Sequence, residues 1–172
     1  AGTGKTVLNS NIFYELYCQE EEKDNAEFKC CMVVNHDEQV KVYSDIAKKL
    51  GLTEKYGEVV SKASTFLNRH KDLDSVDVVF IDEAHLLFTQ GNQGYSGKNQ
   101  LDDIIKRAKV VVIVFDENQI LRMDQYWEKQ MIDRYRNKAI EQQNHITLTK
   151  QLRMQADNET LAWIDAFTKK QI

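Results

Sequence analysis

Apolar positions along the chain alternate between a helical rhythm and short unbroken runs, a pattern that predicts helices interleaved with buried strands. Residues 6–19 place Val7, Leu8, Ile12 and Leu16 on one helical face. The charged stretch 19–27 reads as a solvated turn, and the run FKCCMVVN at 28–35 suits a buried strand. Val40, Tyr43, Ala47 and Leu50 recur at helical spacing, with Gly51 placed to end that helix. Residues 59–66 fit either a short strand or a helix start, while VDVVFI at 76–81 is the clearest strand and runs into two carboxylates. Residues 89–99, TQGNQGYSGKN, carry three glycines among polar side chains and read as a mobile loop. Leu101, Ile104, Ile105 and Ala108 fit a further helix, and VVVIVF at 110–115 is a second apolar strand, again ending in a carboxylate, Asp116.

Beyond that strand, Trp127, Met131, Tyr135 and Ala139 stand four apart within a predicted helix over 123–143. Residues 145–148 are predicted as a final strand. Asp157 is placed to cap a last helix that turns Leu161, Ile164 and Phe167 inward and ends in Lys169 and Lys170. Strands alternating with helices imply an α/β fold, a three-layer α/β/α sandwich around a mostly parallel sheet. A chain of 172 residues with 42% apolar side chains fits one domain spanning 1–172.

Charge and cysteine content narrow the partners. A net charge of −4 gives no global reason to bind nucleic acid, so any such partner must use a local patch. Cys18, Cys30 and Cys31 follow neither a disulfide framework nor a metal-ligand spacing and read as thiols in a reducing compartment. With no apolar run long enough for a membrane span and no leader pattern, the expectation is a cytoplasmic protein without a membrane partner.

Four constellations carry chemistry. Gly2-Thr3-Gly4-Lys5-Thr6 is the second half of the phosphate-loop pattern, in which glycines turn backbone N–H groups onto phosphate oxygens, lysine reaches the β and γ phosphates and threonine coordinates Mg²⁺. Asp82 and Glu83 follow the apolar strand, where Asp82 can hold Mg²⁺ through its water shell and Glu83 can polarise the attacking water. After the next strand come Asp116, Glu117, Asn118 and Gln119, and an amide such as Gln119 can orient water or sense the γ phosphate. Arg153 lies between the last strand and helix, where a guanidinium can stabilise charge on a transferring phosphoryl group. Blander readings stand beside these: a chance glycine-lysine turn, acids solvating a strand end, a polar turn and a surface arginine paired with an acid.

Taken together, GTGKT, FIDEAHLL, FDENQIL and LTKQLRM resemble in order and spacing the first RecA-like domain of superfamily 1 helicases. The chain is most similar to the P-loop domain of Schlafen-type proteins and related bacterial ATP/GTP-binding proteins. That resemblance implies a RecA-like sheet lacking its strand before the phosphate loop, a chain cut within Walker A and followed in its parent by a second domain. It implies that residues 2–6 are poorly held without that strand, that nucleotide binding by this piece is weak, and that neighbouring strands are exposed to self-association. The implied cofactors are ATP or GTP with Mg²⁺, and the implied partner is single-stranded DNA or RNA, reached through the parent protein. The third family motif has the form Gly-Asp-x-x-Gln; Asp116 and Gln119 match it, but Phe115 replaces the glycine, a change that bears on coupling to nucleic acid more than on nucleotide binding. Arg153 maps onto a γ-phosphate contact and Thr65, in KASTFLN, onto a nucleic-acid-contacting threonine. The reading is an ATP-binding and ATP-hydrolysing domain of a helicase-like protein; the alternative is a nucleotide-gated regulatory or interaction module without strand separation.

Overall fold

The computed structural model describes residues 3–23, 25, 27–91, 95–116, 127–148 and 157–168. They belong to two compact units, one of residues 6–145 and one of residues 1–5 with 146–172. The larger unit takes in nearly all of α1 (Lys5–Glu22), then β1 (Cys30–Val34), α2 (Asp37–Lys49), α3 (Leu52–Tyr56), β2 (Val60–Ser61), α4 (Ala63–Arg69), β3 (Val76–Asp82), a 3₁₀ turn (Ala84–Leu86), α5 (Gln100–Ile105), β4 (Ala108–Ile113) and α6 (Lys129–Glu141). The smaller one holds α7 (Asn158–Thr168).

The four strands pair in parallel in the order β2-β1-β3-β4. Successive residues of β1 face opposite ways, so one strand feeds two cores. Cys30, Met32 and Val34 join Phe80 of β3 in packing against Phe13 and Tyr17 of α1 and Tyr43 and Ala47 of α2. Cys31 and Val33 join Val79 and Ile81 in packing against Phe66 of α4 and Leu101 and Ile104 of α5. Helices on both faces of a parallel sheet make the three-layer α/β/α arrangement of RecA-like folds. Burial pushes both thiols of the Cys30–Cys31 pair up, that of Cys31 to about 11, so they remain protonated apolar fillers.

Several elements depart from the sequence reading. Helix α1 buries Asn9, Phe13 and Tyr17, leaving Val7 66% exposed and Leu8 and Ile12 also outside. The aromatic stripe wins because its two rings bury more surface, and the Tyr17 hydroxyl finds the Cys30 carbonyl. That helix also runs through Glu22, into the predicted turn. Gly51 follows α2 with φ 73°, the left-handed conformation that terminates helices, as its position implied. Residues 59–66 contain both alternatives, the two-residue β2 and the start of α4. Ala108 begins β4 instead of closing α5, and β4 ends at Ile113, two residues before the predicted limit. It is one of the two edge strands of the described sheet, with Val110 and Ile113 exposed. Trp127 precedes α6 and is buried in the core formed with α4 and α5, and the predicted helix positions 123–126 lie outside the described residues.

The 89–99 loop is pinned by Tyr95, which is buried and donates to Asp103 Oδ2 at 2.7 Å; residues 92–94 lie outside the described set. Residues 145–148 form no strand, and Ile146 is 79% exposed. In the smaller unit Asp157 Oδ1 accepts the Thr160 amide at 2.7 Å, the cap its position implied. Phe167, predicted to face inward, is instead exposed and stacked on Trp163 at 5.4 Å. No helix among the described residues is long and apolar enough to cross a membrane.

Candidate functional site

Parallel pairing brings the C-terminal ends of the strands to one edge, and the register sets Val34 of β1 beside Asp82, the last residue of β3. Ligands of open α/β sheets gather at this edge. Gly4, with φ 81°, turns the chain into α1 in a conformation that side-chain-bearing residues rarely adopt. Lys5 Nζ lies 3.5 Å from Thr3 Oγ1. Gly2 lies outside the described residues.

Thr6, in the first turn of α1, and Asp82 are 76 positions apart in sequence, yet the Thr6 hydroxyl donates to Asp82 Oδ2 at 3.1 Å. The same oxygen accepts from the Tyr43 hydroxyl at 2.8 Å, and Asp82 Oδ1 accepts the Glu83 amide at 3.1 Å. Asp82 is only 1% exposed, so these donors stand in for lost water. Burial, with the Asp82 carboxylate alongside, raises the Tyr43 hydroxyl well above the ordinary phenol range and keeps it a donor.

Tyr43 was read from sequence only as an apolar position of α2. Its one signal there is a hydroxyl within an apolar stripe, which needs a partner once buried. Tyr43→Phe is expected to leave that Asp82 oxygen with one donor fewer and to lower stability by about 1.5–3 kcal/mol, measured by urea unfolding. An unchanged midpoint would mean that this bond contributes nothing.

Glu83 stands just past the strand with φ 53° and ψ 48°, a left-handed conformation uncommon for a residue with a side chain. Its backbone is held on both sides: the Ala84 amide donates to the Val114 carbonyl at 2.8 Å, and the Leu86 amide donates to the Glu83 carbonyl at 2.9 Å. Asn35, one residue beyond β1, donates to the Leu86 carbonyl at 2.7 Å and ties the turn to the neighbouring strand. His85, buried below, places Nε2 3.1 Å from Glu83 Oε2.

The oxygens of Thr6 and Asp82 are hard donors of the kind Mg²⁺ takes, which fits the pair to that ion. Among the described residues no group of three or more His, Cys, Asp or Glu side chains can hold a metal.

Asp116, buried, follows β4 at the same edge. Glu117, Gln119 and Arg153 lie outside the described residues. Thr65 sits half-buried on α4, the helix on the opposite face of the sheet from α1.

The sequence model of a family described as Schlafen group 3, DNA/RNA helicase domain, matches residues 1–172. Among curated proteins, the uncharacterized protein YPL245W of Saccharomyces cerevisiae is 32% identical over 178 residues, covering 96% of this chain and 39% of that protein. The chain thus spans about two fifths of the length of that relative.

Proposed function

Because the chain belongs to the Schlafen group 3 family of DNA/RNA helicase domains, we propose that it binds ATP with Mg²⁺ and hydrolyses it as the first RecA-like domain of a superfamily 1 type protein. The observation that carries this reading is the Thr6–Asp82 contact, which joins the residue after Gly4-Lys5 to the tip of an apolar strand.

In this reading backbone N–H groups of residues 2–6 and the Lys5 ammonium would bind the phosphates, and Thr6 and Asp82 would hold the metal. Mg²⁺, when bound, neutralises phosphate charge. Tyr43 keeps Asp82 oriented toward Thr6. Glu83 accepts a proton from the attacking water, and Gln119 and Arg153 orient that water and stabilise charge on the phosphoryl group. GTP is the other nucleotide these groups can take, since none of them reads the base.

Phe115 favours a second reading, a nucleotide-gated module without strand separation. ATPase rates of the intact protein with and without single-stranded DNA or RNA separate the two. The motor reading expects stimulation of at least about 10-fold, worth roughly 1.4 kcal/mol in the barrier. Equal rates would favour the switch.

A further inference from the structure

We propose that His85 is a positioning residue for the Glu83 carboxylate and that Phe115 in turn fixes the His85 ring. The inference rests on the assignment of Glu83 as the group that activates water.

The turn after β3 has a fixed backbone, but backbone bonds do not decide where a glutamate side chain ends. Glu83 keeps 19% of its side chain exposed, enough freedom to point its carboxylate into solvent. The contact at 3.1 Å between His85 Nε2 and Glu83 Oε2 restrains it. His85 can do this because its own ring has little room: it is 2% exposed and meets the Phe115 ring edge to face, at 6.0 Å between centroids and an interplanar angle of 88°. Phe115 is held in the same way by Trp127, at 5.2 Å and 80°. Aromatic packing thus confines the imidazole, and the imidazole confines the carboxylate. This gives the phenylalanine that replaces the motif glycine a role: a glycine at 115 would remove the ring that His85 rests on.

A residue that aligns Glu83 without touching nucleotide affects turnover and not binding. The test uses the intact protein with His85→Ala, His85→Gln, Phe115→Ala and the His85→Ala/Phe115→Ala double variant, reading kcat for ATP and the Kd of Mg-ADP. His85→Ala is expected to lower kcat on the order of 10-fold or more, as loss of a supporting partner commonly does, with Kd unchanged. His85→Gln, whose amide N–H can still donate to the carboxylate, is expected to recover most of the rate. Phe115→Ala is expected to lower kcat and to add little in the His85→Ala background, because both act through one side chain.

Wild-type kcat in His85→Ala, or a loss in His85→Gln as deep as in His85→Ala, overturns the proposal. If His85→Ala does not fold by circular dichroism, Phe115→Ala decides: a reduced kcat at unchanged Kd supports the proposal and a wild-type kcat overturns it. A Glu83→Gln protein that retains full kcat overturns the reading of Glu83 instead.

Discussion

Glu83→Gln in the intact protein is expected to lower kcat for ATP hydrolysis by ~10²–10⁴-fold while Mg-ATP still binds. The exchange conserves volume and leaves an oxygen able to meet His85 Nε2, which lies 3.1 Å from Glu83 Oε2, so the turn keeps its shape. What disappears is the basic carboxylate. The residue's position supports a chemical role over a structural one. Asp82 beside it is buried and hydrogen-bonded to Thr6 and Tyr43, whereas Glu83 retains access to solvent. Its left-handed backbone aims it differently from the strand it follows, at a local cost of about 1–3 kcal/mol that the surrounding bonds hold in place. Steady-state hydrolysis and nucleotide titration of the same preparation check the split; equal losses of both would point to a collapsed site.

Lys5→Ala has the complementary signature. Loss of the ammonium proposed to meet phosphate oxygens is expected to weaken Mg-ATP binding by ~10–100-fold, the cost of one charge-assisted hydrogen bond. Ligand at about 100 times Kd stabilises a folded protein by about 2.7 kcal/mol, so Mg-ATP should raise the unfolding temperature of the intact wild-type protein, and Lys5→Ala should abolish most of that rise at the same concentration. A full thermal shift in Lys5→Ala would remove the ammonium from the nucleotide site.

The parallel sheet was legible because strands buried on both faces write themselves as unbroken apolar runs, and the runs ending at Val34 and Asp82 do so. The candidate site was legible where chemistry coincided with a strand end, as at Asp82 and Glu83. Helix α1 misled because it is apolar on more than one side: Val7, Leu8 and Ile12 compete with Phe13 and Tyr17, and periodicity cannot say which stripe finds a sheet. Ala108 continued a helical spacing while opening an apolar run, and only the pairing of β4 with β3 decides between them. The run HITL at 145–148 has the β-branched composition of a strand but forms none, so composition without a partner strand is not enough. The contact of Tyr43 with Asp82 was not legible for a different reason: it is tertiary, between residues 39 positions apart in sequence.

The measurement that bears most directly on the account is a crystal structure of the intact protein with Mg²⁺ and a non-hydrolysable ATP analogue. The account predicts the triphosphate at the start of α1, Mg²⁺ bonded to Thr6 Oγ1 and linked through water to Asp82, and the Glu83 carboxylate facing the γ phosphate from beside His85. Nucleotide bound away from Thr6 and Asp82, or a metal that neither residue approaches, would contradict it.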